Sequence, residues 1–274
     1  MEIKSRKGQV LILAAAVTAL AASGCAKLKA RDDLNKGVQA FTAAQFDQAI
    51  AYFQDAKQQD PTLMNARLYL AQAYASQYIP GAPSDENKRN AQQAIEEWKE
   101  VLQMDPNNLS AIDGIGSLLY NMAGTPFDPK MMAESKTYHE MHIKLKPQDP
   151  DSYYWIGVVD WAVVYRANKQ LRSDYNTKAR KPLGDLDPLP KAVRDQFTKD
   201  NSTLIEEGID NLNHAIQIKP DYANAMAYLN LLLRQKADTE TSSEARDADE
   251  KLADSYVDKV KEINQKQMTA PTPQ

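Results

Sequence analysis

Four prolines set the register of this chain. Pro61, Pro106, Pro147 and Pro220 each stand ten residues ahead of a small or polar residue inside an apolar stretch, at Ala71, Gly116, Gly157 and Asn230. Upstream of each proline a second pattern repeats with identical offsets: Ala49, Phe53, Ala56 in one copy and Ala94, Trp98, Val101 in the next. Two further copies, Ser135, His139, His142 and Gly208, Leu212, Ala215, keep the spacing while the side chains drift. A recurring register of this kind is the signature of stacked helix pairs.

A small residue halfway along a helix lets a neighbouring helix approach, and a bulky one beside it fills the gap. Proline then ends the helix, because it has no N–H to donate and pushes the preceding residue out of helical geometry. Asp60, Asp105, Lys146 and Lys219 hold that preceding position. The pattern resembles the tetratricopeptide repeat, a helix–turn–helix unit of about 34 residues. Gly37 matches the family's close-packing position in the first copy, with Ala49, Phe53, Ala56 and Pro61 as its second helix and terminator; Asp33 and Ala40 depart from the large apolar residue and the tyrosine favoured there. Later first helices carry Leu70, Ala71, Tyr74; Ile112, Ile115, Gly116, Leu119; Tyr153, Ile156, Gly157; and Met226, Leu229, Asn230, Leu233.

The resemblance implies an all-α fold, a right-handed α-solenoid of about five degenerate helix pairs occupying residues 30–267. The composition agrees, since no alternating valine and isoleucine runs bounded by hairpin turns are present, and no sheet is expected. Extra residues fall inside repeats two, three and four, near 78–88, 122–130 and 167–201. They contain Pro80-Gly81-Ala82-Pro83, Ala123-Gly124-Thr125-Pro126-Phe127-Asp128-Pro129 and Asp187-Pro188-Leu189-Pro190. Loops inserted at one type of turn should gather along one rim of a solenoid, either as a partner surface or as tolerated spacers.

The start of the chain carries Lys4, Arg6 and Lys7, then an uncharged run from Val10 to Ala22, then Ser23-Gly24-Cys25. The run is short for a permanent membrane helix and reads as an export signal over residues 1–24. Ala22-Ser23-Gly24-Cys25 looks like a lipoprotein box, with Ala22 where leucine is commoner. By that resemblance Cys25, the only cysteine in the chain, carries acyl chains, residues 25–29 form a tether, and the protein faces the periplasm. Ala26 rather than aspartate after the cysteine implies sorting to the outer membrane. A lone cysteine also excludes an intramolecular disulfide.

Removal of the signal leaves 30 basic against 36 acidic residues. That balance argues against nonspecific nucleic-acid binding, which needs a basic footprint. One stretch is locally basic: Arg166, Lys169, Arg172, Lys178, Arg180 and Lys181 meet only Asp174. It reads either as a solvated helix end or as a dock for an acidic partner or lipid headgroups.

In the resembled family the first helices line a concave face. Carried over, that face presents Asn65, Leu68 and Gln72 in repeat two, Asp113, Ser117, Tyr120 and Asn121 in repeat three, Tyr154, Val158 and Trp161 in repeat four, and Arg234 and Gln235 in repeat five. Tyr120, Tyr154 and Trp161 would form an aromatic cluster suited to a peptide, unless the repeat-four insertion folds back over them.

Signals for catalysis are sparse. There is no glycine-rich phosphate loop and no nucleophile elbow. His139 and His142 are one residue short of a zinc-helix spacing and lack an evident third ligand, so core packing is the better reading and no metal or cofactor is expected. Glu96 and Glu97 read as helix surface. From Thr241-Ser242-Ser243-Glu244 onward, Ala245, Ala248, Leu252, Tyr256, Val260 and Ile263 suggest a capping helix, ahead of a disordered tail at 268–274. The expected function is a lipid-anchored, non-enzymatic scaffold whose partners are envelope proteins or peptides, in outer-membrane assembly, pilus or secretion-system biogenesis. The alternative is a periplasmic binding module for a peptide or peptidoglycan-type ligand.

Overall fold

Every repeat proline marks a helix end. In the computed structural model, which describes residues 24–269, helix α1 (24–42) is followed by α2 (Phe46–Gln59), α3 (Met64–Gln77), α4 (Asp85–Met104) and α5 (Leu109–Ala123). Then come α6 (Pro129–Leu145), α7 (Pro150–Asn176), α8 (Lys191–Ile218), α9 (Ala223–Ala237) and α10 (Ser243–Thr269). No strand occurs among the described residues. Asp60, Asp105, Lys146 and Lys219 are the C-caps of α2, α4, α6 and α8. Each donates its N–H to the carbonyl four residues back, at 2.8 to 3.0 Å, and the proline that follows has no N–H to prolong the ladder. Two of the next helices are restarted by polar caps: Asn108 Oδ1 accepts from Ala111 N and Asp149 Oδ1 from Asp151 N.

All four triplets upstream of the repeat prolines are buried. The close approach they require is visible at two glycines. A methyl group on Gly37 would sit 2.4 Å from Phe53 Cε1, and one on Gly157 would sit 2.4 Å from Leu212 Cγ. Trp98 of the second repeat makes a similar approach to Gly114 of α5, where a methyl group would sit 2.5 Å from its Cε2. Full burial of Phe53 contributes about 2–3 kcal/mol.

The chain divides into two compact units between Thr125 and Pro126. In the first, α2 packs on α3, α3 on α4, and α4 on α5. In the second, α7 lies against α6, α8 and α9, and α9 against α10. A core around Leu212, Leu229 and Leu232 and another around Val164, Phe197 and Ile205 hold the second unit.

Several expected boundaries shift. The insertion placed at 167–201 is mostly helix: α7 runs on to Asn176 and α8 begins at Lys191, leaving a loop at 177–190. Its Leu189 is not on a rim but inserted beside Phe197. On α10, Ala245, Tyr256, Val260 and Ile263 are half-buried on the expected face, with Tyr256 packed on the core, but the face shifts in between. Ala248 and Leu252 face outward, and Asp249 and Ala253 face α9. Lys236 grips Asp249 at 2.7 Å, and Ala253, fully buried, admits the close contact. Residues 25–29 belong to α1, and Met268 and Thr269 to α10. Residues 1–23 of the expected signal and 270–274 of the expected tail lie outside the described residues.

Candidate functional site

Helices α3 and α5 open a cleft of about 520 Å³ in the first unit. Asp113, Ser117 and Asn121 recur every four residues and so share one face of α5; with Gln72 of α3 they line the cleft. Four of the residues picked from the sequence therefore meet. Tyr78 and Pro80, from the loop after α3, add a wall, and Trp98 forms part of the floor where Gly114 has no side chain to exclude it. The lining mixes amide, hydroxyl and aromatic groups with the aliphatic Ala75, Pro80 and Leu118, and has one carboxylate, Asp113, and no lysine or arginine. The amide and hydroxyl groups among them suit the amides of an extended polypeptide. Asn65, Leu68 and Tyr120 are not part of this lining: Asn65 is exposed, and Leu68 and Tyr120 are half-buried.

Glu97, expected at the surface, is instead a half-buried hub beneath this unit. It pairs with Lys57 of α2 and, at 2.9 Å, with Arg67 of α3. Both partners are distant in sequence, so the pattern around Glu97 gave no sign of it.

The repeat-four residues separate. Val158 is 1% exposed and belongs to the core, which corrects its assignment to an accessible face. Tyr154 is packed between the rings of Tyr222 and Tyr228, at 5.2 and 5.7 Å. Trp161 meets Tyr228 edge-on and stacks on Tyr165, each at 5.2 Å. The cover over these rings comes from α9 and its N-cap Tyr222, not from the insertion. Tyr222 donates a hydrogen bond to Asp151 at 2.7 Å, and burial first, then that carboxylate, push its phenol pKa upward. Trp161, Arg234 and Gln235 line a second cavity, of about 230 Å³.

The floor of that cavity is an ion-pair network absent from the sequence reading. Arg172, read there within a basic stretch, is buried: Nη2 donates to Asp238 at 2.7 Å and Nε to Asn168 at 2.7 Å. Its Nη1 donates to the carbonyls of Gly184 and Asp187, at 3.1 and 2.9 Å. Lys169 pairs with Asp185, and Arg166 lies over the ring of Phe127. Of the basic stretch only Arg172 is thereby drawn inside the unit, while Arg166, Lys169, Lys178, Arg180 and Lys181 stay exposed.

The two histidines fill packing positions, as expected. His139 stacks on Trp155 at 5.8 Å, and burial, helped by His142 nearby, lowers its pKa to about 4. His142 Nε2 lies 3.2 Å from Asp149 Oδ2. Next to them, Lys136 of α6 reaches both Asp160 of α7 and Glu207 of α8 at 2.8 Å. Asp160 is 1% exposed, its Oδ2 has no hydrogen-bond partner, and burial outweighs Lys136 to raise its pKa to about 7. Among the described residues no group of three His, Cys, Asp or Glu side chains is arranged to hold a metal ion. No helix there is long and apolar enough to cross a membrane.

Solved structures share this helix arrangement. MamA 41-end from Desulfovibrio magneticus RS-1 aligns over 87% of this chain and 97% of its own, with a TM-score of 0.56 and 17% identity. YrrB, described as a TPR protein with an unusual peptide-binding site, aligns over 86% and 87% with a TM-score of 0.51 and 12% identity. The chain has the tetratricopeptide-repeat fold. No known family profile matches the sequence, and no curated protein is significantly similar to it. Within this tetratricopeptide-repeat fold, α3–α4, α7–α8 and α9–α10 are packed helix pairs, and the departures from the repeat are the long α7, the long α8 and the loop between them.

Proposed function

We propose that this chain is a lipid-anchored, periplasm-facing scaffold that holds polypeptide segments of partner proteins during envelope biogenesis and performs no chemistry itself. The observation that carries the gripping role is the convergence of Gln72, Asp113, Ser117 and Asn121 on one hydrogen-bonding cleft. The tetratricopeptide-repeat fold supports it, since YrrB is described with a peptide-binding site. The anchoring role rests on Ala22-Ser23-Gly24-Cys25 after a basic and then apolar start. Several acyl chains on Cys25 suffice for stable membrane attachment. Outer-membrane assembly, pilus biogenesis and secretion are the envelope processes that need such a grip.

The test of gripping is a peptide array of extended segments probed with the wild-type protein and with a Gln72→Ala, Asn121→Ala double variant. Peptides retained by the wild type and lost by the variant, with unchanged circular dichroism, support the reading. Equal retention by both proteins contradicts it.

A further inference from the structure

The loop before α8 belongs to the second unit and differs in chemistry from the cleft of the first. Connections as long as residues 177–190, with no helix or strand, are uncommon in compact folds and are usually functional or disordered. This one is held in two places. Asn176 bonds both the N–H and the carbonyl of Leu183, at 2.7 and 3.1 Å, which closes residues 177–182 into a small loop at the end of α7. Gly184 and Asp187 then bond each other across a turn, the carbonyls of both accept from Arg172, and Arg246 of α10 donates to the carbonyl of Leu186 at 2.8 Å. Side chains on this loop are thus presented from a fixed backbone, so little ordering entropy is lost when a partner docks.

The closed loop is basic. Lys178, Arg180 and Lys181 are exposed, no carboxylate stands among residues 177–182, and none of the three cations has an ion pair among the described residues. Lys169 and Arg172, by contrast, are taken by Asp185 and Asp238. Over residues 166–187 six basic side chains meet three acidic ones, in a chain that is acidic as a whole. From the neighbouring turn Leu186 projects with 81% of its surface exposed. It forms one wall of the second cavity, beside Tyr165 and Leu231, and that cavity's lining holds four cations against three carboxylates. At about 230 Å³ the cavity lies below the range of drug-sized sites, about 300 Å³ upward, and suits a single side chain. A flat lipid surface would leave this hollow unfilled. A polypeptide can place one side chain in it while neighbouring carboxylates reach the basic loop, which starts about one helical turn beyond Arg172 on α7.

We infer that this face docks an acidic segment of a partner protein. One apolar side chain of the segment enters the cavity beside Leu186, and its flanking glutamates or aspartates pair with Lys178, Arg180 and Lys181. The inference does not rest on the peptide cleft of the first unit.

Fluorescence anisotropy of the whole protein with short, labelled, end-blocked peptides tests this. One peptide is rich in glutamate around a central phenylalanine, a second has glutamine for every glutamate, and a third has glycine for the phenylalanine. The first should bind, more weakly as salt rises, and each of the other two should bind at least about tenfold more weakly. Changing Lys178, Arg180 and Lys181 together to glutamine, all on an exposed loop, should abolish the preference for glutamate, whereas Gln72→Ala with Asn121→Ala should leave it intact. Equal affinity of the glutamate peptide and either altered peptide would overturn the proposal, as would no binding of it at millimolar concentration; both readings use the wild-type protein and do not depend on a variant's folding. Soluble short-chain phosphatidylglycerol is the counter-probe. Binding of that lipid through the same three cations, with no binding of the acidic peptide, would assign the face to a membrane and overturn the proposal as well.

Discussion

Gly157 and Leu212 show how little room a single position has. Leu212 Cγ occupies the place a side chain on Gly157 would take, so Gly157→Ala forces a shift in a filled core. We expect a loss of about 1–3 kcal/mol, read as a lower urea midpoint with an unchanged slope. Two buried ionisable groups give the second unit an unusual pH response. His139 is held neutral, with its pKa lowered from 6.5 to about 4. It therefore contributes stability that is present above pH 6.5 and lost as pH falls through about 4. Asp160 has the opposite sign. With its pKa raised from 3.8 to about 7, its contribution is full below pH 3.8 and is lost as pH rises through about 7. The two slopes oppose each other between pH 4 and 6.5. Asp160→Asn should leave stability rising with pH over that window, and His139→Gln should leave it falling, both followed by thermal melting across pH. Flat profiles in both variants would refute these assignments.

At the scale of the element, Arg172 of α7 ties the loop before α8 to Asp238, the C-cap of α9. Arg172→Ala leaves Asp238 buried without its countercharge, held only by Asn168, and frees the carbonyls of Gly184 and Asp187. A loss of about 3–5 kcal/mol is expected, with new cleavage between residues 177 and 190 in limited proteolysis. This region also marks where sequence reasoning stopped. Helix ends before Pro61, Pro106, Pro147 and Pro220 were legible because proline acts through its own backbone. The buried triplets were legible because their spacing is local. By contrast, Asn168, Arg172 and Asn176 look like loop residues until their partners, up to 70 positions away, are known. The burial of Asp249 and Ala253 in place of Ala248 and Leu252 on α10 is hidden for the same reason. Asp249 counts as surface by charge, yet Lys236 on α9 draws it inward. In the candidate cleft, Gln72, Asp113, Ser117 and Asn121 could be picked from the repeat register, whereas the burial of Val158 and the rings covering Tyr154 depend on how α7 and α9 pack.

At the scale of the whole molecule, the proposed function couples a membrane tether on Cys25 to a peptide-gripping cleft. Cys25→Ser should move the protein from the membrane to the soluble fraction and abolish acyl labelling, without changing its helical circular dichroism. A variant that still sediments with membranes and keeps its label would refute lipidation. The gripping claim is tested most directly by a photo-crosslinking amino acid placed at Ser117, inside the cleft, with Gln92 on the exposed side of α4 as its counterpart. Irradiation in cells, followed by mass spectrometry of the adducts, is expected to give discrete protein adducts from position 117 that disappear when Gln72 and Asn121 are both changed to alanine. Adducts from position 92 alone, or adducts at 117 that survive the double change, would contradict it.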